Sequence, residues 1–158
     1  MIELVPMSET AYGAYLQASI ADYAEENVAS GRWLEAEALA RSRASYESLL
    51  PQGLATPDNH IFEIRQSGSV QTVGYLWVAV VVRNGDRSAY IYDVSIHPPY
   101  RRRGYAKAAF EALEPVVRGL GLGSIGLHVF AHNPGAQALY EKLGYAVTGL
   151  NMQKRLSA

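Results

Sequence analysis

The spacing of hydrophobic residues changes repeatedly along the chain, and each change marks a different predicted element. After Ser8, aromatic and aliphatic residues recur every three or four positions as far as Tyr23, which predicts an amphipathic helix that Gly31 interrupts. Further helices are predicted over 33–50, 104–120 and 134–143. β-Branched and aromatic runs predict strands over 2–6, 60–66, 72–82, 88–96, 124–130 and 146–156. A hairpin turn is predicted at Asn84-Gly85, and the whole order indicates an α/β fold with a mixed sheet.

Composition narrows the class of protein. The 158 residues, 49% of them apolar and 18% charged, predict one globular domain over 1–158. There is no cysteine, which excludes disulfides, thiolate metal sites and a thiol nucleophile. No apolar run is long enough for a membrane span, and the first residues lack the pattern of a signal peptide, so we expect a cytoplasmic protein without membrane partners. A net charge of −1 argues against nucleic-acid binding.

One basic stretch stands out against this near-neutral background. The run HPPYRRRGYAKAAF places Arg101, Arg102, Arg103 and Gly104 immediately before a predicted helix. The first N–H groups of a helix have no partner inside the helix, and the aligned peptide dipoles make that end positive. Glycine lets an anion approach the backbone. The stretch is therefore either an anion site or a solvated basic turn, and it matches neither common nucleotide-binding glycine fingerprint.

Two sequence blocks resemble one family. The block VSIHPPYRRRGYAKAAFEALE is similar to the acyl-CoA-binding segment of the GNAT superfamily of N-acetyltransferases, whose R/Q-x-x-G-x-G/A pattern is filled by Arg101, Gly104 and Ala106. The block HNPGAQALYEKLGY is similar to a second family pattern, N-x-x-A-x-x-L-Y-x-x-x-G-F/Y, matched by Asn133, Ala136, Leu139, Tyr140, Gly144 and Tyr145. Both blocks occur in the order that the family shows.

The resemblance implies a fold and a donor. It implies a mostly antiparallel sheet of six to seven strands, splayed between the fourth and fifth, with about four flanking helices. The donor would be acetyl-CoA, with no metal. Its pyrophosphate would lie on the loop formed by Arg101, Arg102, Arg103, Gly104, Tyr105, Ala106 and Lys107. Its pantetheine arm would contact the backbone of Val94, Ser95 and Ile96, with Asn133 and Tyr140 on the other side.

The resemblance also implies direct attack of a primary amine on the donor, with Tyr140 as general acid for the leaving thiolate. A phenol has a pKa of about 10, close enough to a thiol's of about 8.5 to pass it a proton. Either His128 or Asp93 would remove the proton of the amine, and His128 is alternatively a structural histidine. His132 and His97 are expected to have no role.

The acceptor is predicted only by class. Asp22, Glu25 and Glu26 crowd like charges at the end of the first helix, which a bound cation would relieve, and Tyr23 and Trp33 could contact it through their ring faces. This favours a cationic small amine or a peptide amine, and the alternative interpretation of the cluster is a solvated helix end. The alternative function is a non-catalytic acyl-CoA-binding regulatory module. A homodimer is consistent with the resemblance.

Overall fold

The computed structural model describes residues 1–157. The elements, in chain order, are β1 (Ile2–Pro6), α1 (Glu9–Ala29), α2 (Glu35–Leu49), β2 (Asn59–Gln66), β3 (Thr72–Arg83), β4 (Asp86–Ile96), α3 (Tyr105–Gly119), β5 (Ile125–Leu127) and α4 (Pro134–Lys142). Single 3₁₀ turns lie before β2 and after β4. No helix in this part of the chain has the length and apolar character that crossing a membrane requires.

The strands form one sheet in the order β1-β2-β3-β4-β5. The first four are antiparallel neighbours, and β5 runs parallel to β4, as expected for a chain that returns through the crossover helix α3. The mixed, mostly antiparallel sheet with four α-helices is confirmed. The predicted six to seven strands are too many, because the described chain has five. The strand predicted over 146–156 is not formed, because these residues lie exposed and pair with no other strand.

Helices cover both faces of the sheet and create two cores. On one face, α3 buries Ala109, Phe110, Leu113 and Val117 against strand residues such as Ile64 and Leu76, and side chains of α4 pack against the rim. On the other face, α1 and α2 bury Tyr15, Ile20 and Tyr46 against Ile61 and Trp77. The sheet therefore holds the ends of α1, α3 and α4 in fixed positions around the edge at β4 and β5.

A bulge in β4 marks the place where the sheet opens. Trp77 lies opposite Asp93 while Val78 lies opposite Ile91, so Tyr92 is an extra residue in β4. β5 pairs with β4 only as far as Ile91, and the second half of β4 has no strand on that side. The predicted splay between the fourth and fifth strands is confirmed.

Candidate active site

The opening between β4 and β5 is the floor of a cleft of about 2060 Å³. One wall is the second half of β4 and another is the stretch from β5 to the start of α4. The end of α1 and the start of α3 complete it. The predicted site residues whose atoms line this cleft are Tyr23, Glu25, Glu26, Asp93, Val94, Ser95, Ile96, Arg101, Ala106, His128, Asn133 and Tyr140.

The start of α3 presents a row of unpaired backbone donors. The N–H groups of residues 102–107 donate to no acceptor among residues 1–157, and no side chain caps the helix. Arg102 and Gly104 have positive φ angles of 62° and 82°, which turn the chain sharply before the helix. A Cβ placed on Gly104 would meet nothing within 4 Å, so the approach to these N–H groups is open. Such a turn at a helix start suits a phosphate group.

The basic side chains around this turn are mostly engaged elsewhere. Arg101 donates from Nε to the carbonyl oxygen of Ile96 at 2.8 Å, which fastens the turn to the end of β4. Arg103 lies 5.8 Å from the ring centre of Tyr100, and Lys107 pairs with Glu111 at 2.8 Å.

The hydroxyl of Tyr105 accepts a hydrogen bond from Gln66 of β2, away from the cleft. Of residues 101–107, Arg101 and Ala106 line the cleft, and Arg102, Arg103, Gly104, Tyr105 and Lys107 do not. The turn therefore meets the cleft at Arg101 and Ala106.

Tyr140 lies half-buried in the wall that α4 contributes. Its ring packs edge-on against Phe110 at 5.3 Å and against Tyr145 at 6.0 Å. Its hydroxyl forms no hydrogen bond with any described protein group, so it is available to a ligand. Burial raises the pKa of Tyr140, and the negative charges of Glu26 and Asp93 raise it further. The phenol and the two carboxylates all line the same cleft.

Asp93 follows the bulge and faces α1. Its Oδ2 accepts hydrogen bonds from the hydroxyls of Tyr15 at 2.8 Å and Ser19 at 3.3 Å. Burial raises the pKa of Asp93, the two hydroxyl donors hold it down, and the charge of Asp22 adds to the rise. Asp93 is therefore an oriented carboxylate with a shifted pKa, the combination typical of acid–base groups.

His128 lies at the exposed rim of the cleft, just beyond β5. Its ring packs edge-on against Phe130 at 4.9 Å. Burial lowers the pKa of His128, and the positive charge of Arg32 lowers it further, so the neutral imidazole is favoured.

The acidic cluster of α1, formed by Asp22, Glu25 and Glu26, lines the cleft. Burial raises the pKa of Glu26 and the charge of Asp93 raises it further, while the charge of His132 lowers it. Tyr23 packs edge-on between Trp33 at 5.4 Å and Tyr46 at 6.2 Å, with its edge on the cleft. Trp33 lies instead beneath two arginine side chains.

Asn133 caps α4. Its Oδ1 accepts from the N–H of Ala136 at 3.3 Å, and its Nδ2 donates to no group in residues 1–157. The amide that the resemblance assigns to the donor thus already has a structural task, and its NH₂ group is left for a ligand in the cleft.

The sequence analysis did not identify the residues that position the site residues. Tyr15 is fully buried and Ser19 nearly so, and both orient Asp93, which is 78 positions away from Tyr15 along the chain. Arg32, which acts on His128, was also missed. The available signal was a serine in the apolar stripe of α1, because a buried hydroxyl requires a hydrogen-bond partner.

The chain is similar to known acetyltransferases over nearly its whole length. The model of the acetyltransferase (GNAT) family matches residues 23–145. An uncharacterized N-acetyltransferase of Bacillus subtilis (strain 168), YycN, is 39% identical over 98% of this chain and 99% of its own. A second from that strain, YdgE, is 35% identical over 97% of both chains.

Solved structures of acetyltransferases are also similar to this chain. A crystal structure of Bacillus subtilis YycN has a TM-score of 0.94 at 38% identity, over 100% of both chains. AAC(6')-Iy, in complex with the bisubstrate analogue CoA-S-monomethyl-acetylneamine, has a TM-score of 0.63 at 16% identity, over 100% of this chain and 99% of its own, which is a likeness of fold. The chain therefore belongs to the GNAT family of acetyltransferases and is an N-acetyltransferase.

Proposed function

We propose that this enzyme transfers the acetyl group of acetyl-CoA to a primary amine, by direct attack while both are bound in the cleft. The observation that carries the proposal is the meeting of three features at one cleft. These are the start of α3 with its unpaired N–H groups, which meets the cleft at Arg101 and Ala106, the free hydroxyl of Tyr140 and the oriented carboxylate of Asp93. The chain has no cysteine that could form a covalent acetyl-enzyme, and direct attack by the amine needs no such nucleophile.

The residues present fit coenzyme A. The N–H groups of residues 102–107 suit a pyrophosphate, and the open space beside Gly104 leaves room for it. The side of β4 that β5 leaves unpaired, at Val94, Ser95 and Ile96, offers backbone groups to an amide-containing arm. The Nδ2 group of Asn133 is free to donate from the opposite wall. When bound, acetyl-CoA supplies an acetyl group activated as a thioester.

Tyr140 holds the proton that a departing sulfur requires. Its raised pKa keeps the phenol protonated at neutral pH, and packing against Phe110 and Tyr145 fixes the ring. A phenol is a weaker acid than a thiol, so it gives up its proton only as charge develops on the sulfur.

Asp93 is the better supported base. The negative charge of Asp93 raises the pKa of Tyr140, so the carboxylate and the phenol interact, as an acid and a base that serve one reaction centre must. Tyr15 and Ser19 hold Oδ2 of Asp93, and Oδ1 accepts no hydrogen bond from another side chain in the described chain. His128, with its lowered pKa, is the second candidate, at the rim.

The acceptor is a cationic amine. The carboxylates of Asp22, Glu25, Glu26 and Asp93 all line the cleft. Burial raises the pKa of Glu26 most, and the negative charges of Asp93 and Asp22 raise it further. An ammonium group between them would relieve the repulsion, and the edge of Tyr23 adds apolar contact area.

Initial velocities measured over a grid of acetyl-CoA and amine concentrations test the mechanism. Thiol release should depend on the amine, and double-reciprocal plots should intersect because both substrates are bound before chemistry. Parallel lines would indicate a covalent acetyl-enzyme and contradict direct attack.

The pH dependence of kcat/KM identifies the base. Asp93→Asn should abolish the acid limb of the profile and lower the plateau, whereas His128→Gln should leave the limb in place. The reverse result, with the limb lost only in His128→Gln, would make the histidine the base. Tyr15→Phe should move the limb to higher pH, because it removes a donor that lowers the pKa of Asp93.

A further inference from the structure

A continuous strip of aromatic rings leads from the loop after α1 to the middle of β4. The rings follow one another in the order Trp33, Tyr23, Tyr46, Trp77, Tyr92 and Tyr90. Neighbouring ring centres are between 4.7 and 6.2 Å apart, which is the spacing of aromatic pairs in direct contact. All of these residues except Trp33 line the cleft that holds the candidate active site.

The inner and outer rings of this strip differ in burial. Tyr46 and Trp77 are buried core residues, so packing alone accounts for them. Tyr90 and Tyr92 are only half-buried, so part of each ring is open to the cleft. Trp77 stacks on Tyr92 with ring centres 4.7 Å apart, and its Nε1 donates to Oδ1 of Asn59 at 2.8 Å. The two outer rings therefore present aromatic surface to the cleft on a fixed support.

The bulge in β4 places these outer rings on the same face of the sheet as the carboxylate of Asp93. Asp93 lies opposite Trp77 and Tyr90 lies opposite Ala79, and residues directly opposite each other share a face. In a regular strand, the side chains of residues 92 and 93 would point to opposite faces. Because Tyr92 is the extra residue of the bulge, its ring also lies on the face of Trp77. A ring and a carboxylate that are neighbours along the chain thus share one wall of the cleft.

The charges at the two ends of these outer rings have opposite signs. Asp93 directly follows Tyr92 in the chain and lines the cleft. At the other end, the guanidinium carbon of Arg83 lies 4.8 Å from the ring centre of Tyr90. A molecule lying along the two rings would therefore have a carboxylate at one end and a fixed positive charge at the other. This arrangement favours one ammonium group beside Asp93 and repels a second positive charge near Arg83.

We propose that Tyr90 and Tyr92 form a subsite for an aromatic ring of the acceptor, so that the acceptor is a small arylalkylamine with a single positive charge. The inference rests on the proposed function, because it takes Asp93 as the group beside which the nitrogen lies. A strand rises about 3.3 Å per residue, so a chain of about two or three carbons would join that nitrogen to a ring on Tyr92. Aromatic rings in contact, offset-stacked or edge-on, attract each other beyond the effect of buried area.

The selectivity of acetylation tests the subsite. The two acceptors are phenethylamine and cyclohexylethylamine, which share a spacer and differ in whether the ring is aromatic. The readout is the ratio of their kcat/KM values, and comparing this ratio between variants removes the difference in amine basicity. The ratio should fall by about 2- to 12-fold in Tyr90→Leu and in Tyr92→Leu, the factor that ring stacking contributes. The matched control, Tyr12→Leu, alters a half-buried tyrosine in the separate groove between α1 and α2 and should keep the wild-type ratio.

Failure of the subsite and failure of the proposed function give different results. A ratio that neither leucine substitution changes, or a wild type that prefers putrescine to phenethylamine, would overturn the subsite while acetyl transfer stands. If the wild type acetylates no amine, the proposed function fails, and calorimetric titration of the enzyme saturated with coenzyme A then decides the subsite. Tighter binding of phenethylamine than of cyclohexylethylamine, lost in Tyr92→Leu but kept in Tyr12→Leu, would support it. Equal binding of the two amines by the wild type would overturn it.

Discussion

Tyr140→Phe tests the central chemical assignment with little change to the fold. The substitution removes one hydroxyl that makes no hydrogen bond to described protein groups, and it keeps the ring that packs against Phe110 at 5.3 Å and Tyr145 at 6.0 Å. The free energy of unfolding should therefore change by no more than about 0.5 kcal/mol. Loss of a general acid lowers kcat by about 10²-fold or more, which corresponds to about 2.7 kcal/mol of transition-state stabilisation.

The assay is acetyl-CoA-dependent thiol release with a saturating amine acceptor, alongside urea unfolding and calorimetric titration with coenzyme A. The expected result is a lower kcat with unchanged coenzyme A affinity and stability. Tyr145→Phe is the matched control, because Tyr145 belongs to the same ring cluster and burial raises its pKa to about 12. A kcat for Tyr140→Phe equal to that of the control would refute the general-acid role and leave Tyr140 as a packing residue.

Three further predictions concern the sheet, the buried carboxyl group and the acceptor. Gly74→Ala would place a Cβ 2.1 Å from a backbone oxygen of β4, so it should lower the free energy of unfolding in urea by about 1–3 kcal/mol. Gly13→Ala on α1, where a Cβ would meet nothing within 4 Å, is the control and should raise that free energy slightly. Equal effects of the two substitutions would contradict the close approach at Gly74. The folded-state pKa of Asp93 is raised, so its contribution to stability is full below the unfolded pKa near 3.8 and is lost as the pH rises through the folded value. In Asp93→Asn, the urea midpoint of unfolding should fall less steeply with rising pH than in the wild type. An unchanged dependence of the midpoint on pH would contradict a raised pKa for Asp93. Replacing Glu25 and Glu26 by glutamine should raise KM several-fold for cationic acceptors, more at low salt than at high salt, with no change for neutral ones; an unaltered KM would make the cluster a solvated helix end.

The sequence predicted the central hairpin well because its signals are local. Asn84 and Gly85 both adopt positive φ, 54° and 84°, as a two-residue hairpin turn requires, and the alternating strands on either side pair as expected. The signal for the start of α3 is also local, because a glycine directly before an amphipathic run marks the end of a helix.

The strand count failed for a physical reason. Alternation shows that a segment can bury one face, but a strand exists only when another backbone lies beside it. Residues 146–157 have the pattern without the neighbour, and residues 128–130 lose theirs where β4 bends away at Tyr92. Neither the bend nor the missing neighbour can be found from hydrophobic spacing.

The sequence named residues that the structure brings to one cleft, but it did not give their contacts. The bulge at Tyr92 breaks the alternation, so the partners of Asp93 could not be read from its place in the strand. Its hydrogen bonds to Tyr15 and Ser19 join positions more than 70 residues apart. The sequence predicted backbone donors at the start of α3, but it did not show that Arg101 and Lys107 bind protein groups.

Calorimetric titration with coenzyme A tests most directly whether the start of α3 holds the donor. The wild type should bind, and Gly104→Glu should abolish binding by placing bulk and negative charge where the N–H groups are open. Gly121→Glu is the matched control, because Gly121 has nearly the same positive φ, 78° against 82°, and also open space beside it, but lies at the other end of α3. It carries the same backbone strain of about 1–3 kcal/mol and should bind coenzyme A as the wild type does. Absence of binding to the wild type at millimolar coenzyme A, or equal binding by both glutamate variants, would contradict the account.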